Sequence, residues 1–252
     1  MRTSCDLNAD LGESFGVWRM GDDDMLLAQV SSCNIACGFH AGDPLTMERT
    51  VAAARARGVA IGAHPSLPDL LGFGRREMRV SAAELRALTL YQIAALGGFT
   101  AAADVRMRHV KPHGALYGML ARDLILASAF VAAVRSFDPQ LAVFGPPAGA
   151  LRDASAAAGL SYVREGFADR GYQSTSALMA RDQPGALLSL QDARTQGLRL
   201  VRGESITAGD GSDICVQIDT LCLHGDGPEA LELAPLLRGD LDAAGITVRA
   251  PL

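Results

Sequence analysis

The sequence predicts an α/β fold in which seven parallel strands alternate with helices and close into a barrel. Short apolar segments alternate with longer segments of helical periodicity along the whole chain, and this alternation is typical of a parallel sheet covered by helices. Reactive residues follow six of the seven strand segments. A closed barrel brings such strand ends to one rim, whereas an open, doubly wound sheet spreads them along a crevice. We therefore expect the barrel.

The element boundaries follow from hydrophobic periodicity and from capping residues. We predict strands at 3–9, 30–36, 59–63, 108–111, 141–144, 161–164 and 220–223. We predict helices at 22–29, 46–57, 120–137, 151–158, 185–196 and 229–244. A further helix starts at a capping box at 81–84 and is interrupted by Gly97 and Gly98 before a second segment at 100–105.

The segments 198–206 and 213–218 have the pattern of two strands joined by a Gly-Asp-Gly-Ser turn. They predict a β-hairpin, within 198–218, that leaves the barrel. No linker or low-complexity segment divides the sequence apart from alanine-rich helices. We therefore expect one barrel domain over residues 1–252.

Composition excludes several classes of protein. The chain has 252 residues, of which 49% are hydrophobic, and a formal net charge of -5, so it offers no basic surface for nucleic acid. No apolar stretch is long enough to span a bilayer, and the first residues lack the apolar core of a signal peptide. We expect a cytoplasmic protein that binds neither nucleic acid nor membrane. The five cysteines, an odd number in a chain with a sizeable core, predict reduced and mostly buried thiols.

The segment 34–44 joins the end of the second strand to a helix, with the sequence Asn-Ile-Ala-Cys-Gly-Phe-His-Ala-Gly-Asp-Pro. Asp43 can cap that helix, and the following proline suits its first turn. Gly38 and Gly42 allow the backbone to approach a ligand closely. His40 therefore stands at the kind of strand end where α/β proteins place their reactive groups.

The first strand alternates polar and apolar residues, which places Asp6, Asn8 and Asp10 on one face. A polar face directed into a core is costly unless it is hydrogen-bonded or binds a ligand. A solvated edge strand would explain the same alternation. The ligand-binding interpretation gains support because similar clusters follow the later strands.

The third strand ends at His64 and opens a long loop, 64–76, whose length is typical of functional loops. Arg75 and Arg76 at its end suit a carboxylate or a phosphate, although Arg76 could instead pair with Asp69. Further clusters follow the fourth, sixth and seventh strands: Lys111, His113 and Tyr117; Glu165, Asp169, Arg170 and Tyr172; His224 and Asp226. His109 lies within the fourth strand, and its direction is left open.

Two chemistries fit these residues, and the sequence does not choose between them. In one, histidines and aspartates bind a divalent metal that activates water, with Asp10, His40 and His64 as the candidate ligands. In the other, the same groups act directly as acids and bases, while cations hold the substrate and stabilise an oxyanion. The sequence contains no phosphate loop, no dinucleotide fingerprint and no Gly-x-Ser-x-Gly elbow.

Six ordered motifs make the sequence resemble the LamB/YcsF family. They are Asp-Leu-Asn-Ala-Asp-Leu-Gly-Glu-Ser-Phe-Gly at 6–16, the segment 34–44, Gly-Ala-His-Pro-Ser at 62–66 with Gly-Phe-Gly-Arg-Arg at 72–76, His-Val-Lys-Pro-His-Gly-Ala-Leu-Tyr at 109–117, Phe-Ala-Asp-Arg with a tyrosine at 167–172, and Cys-Leu-His-Gly-Asp at 222–226. The resemblance covers essentially the whole chain. Gly118, where the family often has asparagine, and Ser176, where a glycine is common, are the departures.

The resemblance implies a seven-stranded β/α barrel of the glycoside hydrolase/deacetylase type. It also implies ATP-dependent hydrolysis of the lactam 5-oxoproline to glutamate by a 5-oxoprolinase, with Mg²⁺ accompanying ATP. This chain would be the A component of that enzyme, beside separate B and C subunits. Two rivals remain: a stand-alone metal-dependent amidohydrolase or deacetylase, and a subunit that binds a metabolite without catalysis.

The residues and the resemblance together define the expected site. We expect catalytic roles for Asp10, His40, His64, Lys111, His113, Glu165 and Asp169. We expect substrate contacts from Asp6, Asn8, Glu13, Asn34, Arg75, Arg76, Tyr117, Arg170, Tyr172, His224 and Asp226.

Overall fold

Seven parallel strands close into a barrel in the computed structural model, which describes residues 3–223 and 228–251, with the backbone alone at 228–230. The strands of the barrel are β1 (Ser4–Leu11), β2 (Ser32–Ala36), β3 (Ala60–His64), β4 (Met107–Val110), β5 (Ala142–Gly145), β6 (Tyr162–Phe167) and β9 (Thr220–Leu223). Each strand pairs in parallel with the next, and β9 pairs back with β1, which closes the ring. The predicted seven-stranded barrel is therefore confirmed. A short strand, β10 (Thr247–Val248), adds to the start of β1.

The helices form the outer layer between the strands. They are α1 (Asp23–Leu27), α2 (Pro44–Arg57), α3 (Ala82–Ala102), α4 (Gly114–Arg122), α5 (Leu124–Phe137), α6 (Ala150–Ala157), α7 (Leu190–Arg202) and α8 (Pro228–Ala243). Asp43 caps α2 as predicted, because its carboxylate accepts from the N–H groups of Leu45 and Thr46. The predicted helix 120–137 is in fact two helices, because Asp123 ends α4 and caps α5.

The predicted break at Gly97 and Gly98 is wrong, because helix α3 runs without interruption through both glycines. A side chain at Gly97 would collide with the ring of Phe137 on α5. The glycine therefore permits close helix packing, and that gain outweighs its low helix propensity of about 1 kcal/mol. The predicted second segment at 100–105 is the last turn of this same helix and the loop behind it.

The predicted helix 185–196 and the predicted strand 198–206 have the wrong bounds, because one helix, α7, spans Leu190–Arg202. Ser189 caps the helix at its start, and Gly203 ends it in the left-handed conformation. Residues 198–202 are therefore helical, because their apolar side chains continue the buried face of α7 rather than an alternating strand. The hairpin is present but short, with β7 (Ile206–Thr207) antiparallel to β8 (Asp213–Ile214).

The barrel interior is polar, whereas the layer between sheet and helices is apolar. In β1, Leu7, Ala9 and Leu11 belong to the main hydrophobic core, and the intervening polar side chains point into the barrel, following the alternation of a strand. A small separate apolar cluster is formed by Ala142, Phe144 and Val163. His109 stacks on Phe144, with ring centroids 4.0 Å apart, so the histidine that the sequence left undecided faces the barrel interior.

The cysteines are all free thiols, as predicted. Cys5, Cys33, Cys37 and Cys222 are buried, and Cys215 is exposed. Burial raises the pKa of the Cys37 thiol to about 12. A thiol in this state is a poor nucleophile and acts as a small apolar side chain.

No single helix within residues 3–223 and 228–251 is long and apolar enough to cross a membrane. Helices α4 and α5 meet the criteria of length and composition only as a pair, and that pair is bent by 116°.

Candidate active site

A cavity of about 940 Å³ opens at the carboxyl ends of the barrel strands. Its wall includes side chains from the ends of β1, β3, β4 and β6 and from the loops behind them, as a barrel geometry predicts. Residues from the expected site that line it are Asp10, Glu13, His64, Arg75, Lys111, His113, Tyr117, Glu165, Arg170 and Tyr172. The structure thus brings ten of the sequence-predicted residues to one cavity.

Lys111 lies at the floor of the cavity between two carboxylates. Its Nζ is 2.9 Å from Asp10 Oδ1 and 2.8 Å from Glu165 Oε1, and it lies 3.0 Å from Cys222 Sγ. Burial acts to lower the pKa of the ammonium, but the charges of Asp10 and Glu165 help to raise it well above its usual value. Lys111 is therefore a fixed cation that holds both carboxylates in place.

Three histidines pack against one another beside Asp10. The rings of His40 and His113 are stacked, with centroids 3.8 Å apart, and His64 meets His113 edge-on. His64 Nε2 is 3.2 Å from Asp10 Oδ2, and His40 Nε2 is 3.3 Å from Glu13 Oε1. Burial lowers the pKa of both His40 and His113 well below the usual value, so these two rings are neutral at physiological pH.

The ligand atoms of Glu13, His40, His64 and His113 all lie within 4.8 Å of one another. These four side chains could hold a metal ion. The set differs from the ligands expected from the sequence, because Asp10 lies beside the group and is not part of it. Asp10 Oδ1 accepts hydrogen bonds from Lys111 and Asn34.

Asn8 and Asn34 lie under the floor of the cavity rather than on its wall. Asn34 Nδ2 donates to Asn8 Oδ1 at 2.7 Å and to Asp10 Oδ1 at 2.8 Å. Asn8 Nδ2 donates to Glu165 Oε1 at 3.1 Å, and His109 Nε2 is 2.8 Å from Asn34 Oδ1. Both amides are fully buried and bond to the carboxylates of Asp10 and Glu165, so their predicted contact with substrate is corrected to a contact that orients these two carboxylates.

Asp6 lies at the opposite end of the barrel from the cavity. It precedes Asp10 by four residues, which corresponds to about 13 Å along a strand. Its carboxylate accepts hydrogen bonds from Ser31, Ser32 and Thr220, and burial raises its pKa to about 6. The predicted contact between Asp6 and substrate is therefore wrong in this geometry, and Asp6 instead ties three strands together.

Two of the predicted arginines are engaged with protein groups. Arg76 pairs with Asp69 on the loop 64–76, its side chain is 67% exposed, and it does not line the cavity among the described residues. Arg170 lines the cavity, but it donates to the carbonyl groups of Ala186 and Met179. Arg76 thus follows the alternative of pairing within its loop, and Arg170 braces the segment that follows β6.

Other expected residues lie at the margin of the site or outside the described part. Asp169 is half-buried and does not belong to the described cavity wall. Tyr172 lines the wall, and its hydroxyl oxygen accepts from the backbone N–H of Phe167. His224 and Asp226 fall in 224–227, outside the described residues.

Within residues 3–223 and 228–251, two polar atoms on the cavity wall are buried without a hydrogen-bond partner: Tyr117 Oη and Glu165 Oε2. Burial raises the pKa of Tyr117 well above its usual value, so the phenol keeps its proton. Such buried groups are costly unless a ligand satisfies them. Arg75, which lies over the ring of Phe73 at 5.0 Å, adds a cation to the same wall.

Sequence reasoning missed one side of the cavity, which is formed by residues 173–182 and includes Arg181. This segment belongs to the connection between β6 and α7, which runs from 168 to 189. The available signal was length, because loops in α/β units are commonly about 2–6 residues long. Ser176 in this loop has φ of 66°, a conformation that favours glycine.

Comparisons with known proteins agree with this architecture. The chain matches the family model described as LamB/YcsF family over residues 5–252. It is 55% identical to the 5-oxoprolinase A subunit of Methylococcus capsulatus, over 99% of this chain and 96% of that protein. It is 51% identical to the 5-oxoprolinase A subunit of Bacillus subtilis, over 97% of this chain and 96% of that protein.

Comparison with a solved structure shows that the fold is also similar. The crystal structure of the lactam utilization protein from Thermus thermophilus has a TM-score of 0.93 to this chain at 44% sequence identity, and the match covers 98% of this chain and 99% of that one. Because the matches in sequence and in fold both span nearly the whole chain, this protein belongs to the LamB/YcsF family.

Proposed function

We propose that this chain is the A component of an ATP-dependent 5-oxoprolinase, which opens the lactam ring of 5-oxoproline to give glutamate. The observation that carries the proposal is the full-length similarity to relatives of that name, at 55% and 51% identity. The similarity to a lactam utilization protein supports the same class of substrate. The cavity supports it independently, since it joins carboxylates, neutral imidazoles and cations in one enclosed site.

The chemistry explains why such a reaction needs ATP. A five-membered lactam is a poor electrophile, and its ring closure is favourable in water. Transfer of the γ-phosphoryl group to the lactam oxygen releases ADP and makes the ring carbon open to attack by water. The ring nitrogen then takes a proton as the C–N bond breaks, and a second water releases phosphate from the resulting acyl phosphate. In total, 5-oxoproline, ATP and two waters give glutamate, ADP and phosphate.

The residues on the cavity wall match the groups that this reaction requires. Arg75 is a cation on the cavity wall that suits the substrate carboxylate. Asp10, whose Oδ2 lies 3.2 Å from His64 Nε2, is placed to take a proton from the attacking water. The open oxygen of Glu165 can accept a hydrogen bond from the lactam N–H, and the hydroxyl of Tyr117 can donate to the lactam oxygen and deliver the proton that the departing nitrogen needs. Lys111 holds the two carboxylates in position through its contacts with both.

The ATP requirement belongs, in this proposal, to the assembly with the B and C subunits, with Mg²⁺ accompanying the nucleotide. The sequence of this chain has no glycine-rich phosphate loop, which supports placing much of the nucleotide contact on the partners. We place the assembly in the cytoplasm, where ATP is available.

Reconstitution tests the proposal. This chain is combined with purified B and C subunits of a 5-oxoprolinase, and glutamate and ADP are measured after addition of 5-oxoproline and ATP. We expect glutamate only when all three subunits and ATP are present. No glutamate from the complete mixture, while the native three-component enzyme is active in parallel, would overturn the assignment. Glutamate without ATP would instead favour a stand-alone amidohydrolase.

A matched pair of variants tests whether this chain contributes catalytic groups. Asp10→Asn removes a carboxylate from the cavity, and we expect loss of about 10²-fold or more in turnover. Asp138→Asn makes the same chemical change at the opposite end of the barrel, where Asp138 pairs with Arg106, and we expect turnover near that of the wild type. Equal turnover for both variants would assign this chain a binding role without catalysis.

A further inference from the structure

The hydrogen bonds of His64 and His113 leave two ring nitrogens in an unfavourable contact. His64 Nδ1 is 2.8 Å from the carbonyl oxygen of Lys111, and His113 Nε2 is 2.8 Å from the carbonyl oxygen of Phe73. A carbonyl oxygen can only accept, so both of these nitrogens carry the hydrogen. When both rings are neutral, the remaining nitrogens, His64 Nε2 and His113 Nδ1, are therefore both acceptors, and they lie 3.0 Å apart.

Two carboxylate oxygens face the same point. Asp10 Oδ2 is 3.2 Å from His64 Nε2, and Glu13 Oε1 is 3.6 Å from His113 Nδ1 and 3.3 Å from His40 Nε2. All of these side chains are buried. Lone pairs that converge in a buried site repel one another unless a cation lies between them. The ammonium of Lys111 does not fill this role, because it contacts the other oxygen of Asp10.

We propose that Glu13, His40, His64 and His113 form a binding site for a divalent transition-metal ion of the Zn²⁺ type. Three imidazole nitrogens and one carboxylate oxygen are a ligand set that suits zinc. Ligand atoms about 2.1 Å from a tetrahedral ion are about 3.4 Å apart. Three of the six separations in the group are 3.0, 3.3 and 3.6 Å, and all six are within 4.8 Å.

The surroundings of the histidines match those of metal ligands. Ligating imidazoles commonly donate their other ring N–H to a carbonyl or carboxylate, which fixes the tautomer, and His64 and His113 both do so. Burial keeps the pKa of His40 and His113 low, so these two rings are in the neutral form that binds metal. Glu13, His64 and His113 also line the cavity, so an ion here would be open to a water or a substrate oxygen.

The proposal differs from the ligand set expected from sequence in two ways. Glu13 and His113 join the ligand set, and Asp10 becomes a neighbour of the group, with its Oδ2 3.2 Å from His64 Nε2, rather than a ligand. An ion held in this way would supply a water with a lowered pKa next to the substrate. The site does not depend on the lactam activity, because metal binding is measured without substrate or partner subunits.

Metal content of the isolated chain tests the proposal. The purified protein is stripped with a chelator, equilibrated with Zn²⁺, dialysed and analysed by mass spectrometry, and its melting temperature is compared with and without Zn²⁺. We expect about one ion per chain and a higher melting temperature with metal. A wild-type chain that retains no zinc and whose melting temperature does not change would overturn the site, and the cluster would then be held by a proton.

Three variants locate the ion. We expect His113→Ala and the milder Glu13→Gln to weaken zinc binding at least 10-fold in a competition titration. His109→Gln is the matched control, because His109 is buried in the barrel but its partner is Asn34, and we expect it to bind zinc like the wild type. Replacement by Co²⁺ gives a visible spectrum that reports nitrogen ligands and should change in the Glu13 variant even if the alanine variant fails to fold. Unchanged binding and an unchanged spectrum in Glu13→Gln and His113→Ala would assign the zinc to another part of the chain and overturn the proposal.

Discussion

Replacement of Lys111 by methionine is the strongest test of the electrostatics at the barrel floor. Methionine keeps most of the length and volume of the side chain but removes the ammonium between Asp10 and Glu165, whose oxygens lie 2.9 and 2.8 Å from it. Glu165 is 1% exposed and Lys111 is 2% exposed, so water cannot replace the lost cation. Breaking a buried ion pair from one side costs about 3–5 kcal/mol.

That cost corresponds to a melting temperature lower by about 6–20 °C, because each kcal/mol shifts a chain of this size by about 2–4 °C. The assay is thermal unfolding followed by circular dichroism, with urea unfolding as a second measure. The double variant Lys111→Met with Glu165→Gln should recover part of the loss, since one of the two unpaired charges is removed. Arg76→Met is the control, because this exposed guanidinium is screened by solvent. A Lys111→Met protein that melts with the wild type would refute the argument that this lysine holds buried charge.

Four further predictions address the scaffold. Asp43→Ala should cost about 1 kcal/mol in urea unfolding, because two N–H groups at the start of α2 lose their acceptor, and Asp43→Asn should restore most of it. Asp6 has a pKa raised from 3.8 to about 6 in the folded chain, so the folded state binds its proton more tightly than the unfolded state and stability falls as pH rises through this range. The free energy of unfolding of the wild type relative to Asp6→Asn should therefore fall by about 2 kcal/mol between pH 4 and pH 7, and a difference independent of pH would contradict the burial of a titrating carboxyl. Gly62→Ala should destabilise by about 1–3 kcal/mol, because a methyl group there meets the ring of His109; an unchanged urea midpoint would show that the ring can move aside. Ser176→Gly should raise the melting temperature slightly, since it relieves about 1 kcal/mol of left-handed strain, and a lower melting temperature would mean that the serine side chain stabilises the loop.

Several features of the site could be read from the chain because they depend on local order. The alternation of Asp6, Asn8 and Asp10 with apolar residues predicted that these three side chains share one face of the strand, and the motifs at 34–44 and 109–117 predicted where the rim of the barrel would carry histidines. The cap at Asp43 was likewise visible, since a capping residue acts on N–H groups two and three positions away. The barrel itself followed from the alternation of strand and helix.

The errors in predicted secondary structure arose where a contact between residues distant in the chain outweighed the local sequence pattern. Gly97 was predicted to interrupt the helix because glycine has a low helix propensity. In the structure it is needed inside the helix, because the ring of Phe137, forty residues away, occupies the space that a side chain would fill. Residues 198–202 read as a strand because short apolar runs fit either period, and the buried face of α7 decided otherwise.

The sequence by itself determined which strand ends carry acids, histidines and cations. It also determined the family, because six motifs in order along the chain resemble it. Only the closed barrel decided where each residue lies along the barrel axis, at the base or at the cavity. Asp6 and Asp10 share a face of β1, yet one ties strands together at the base and the other meets His64 and Lys111 at the cavity. The same closure brings His113 Nδ1 within 3.0 Å of His64 Nε2. The physical reason is that periodicity is set by each segment alone, whereas the distance between side chains depends on the register of neighbouring strands, which forms only when the ring closes.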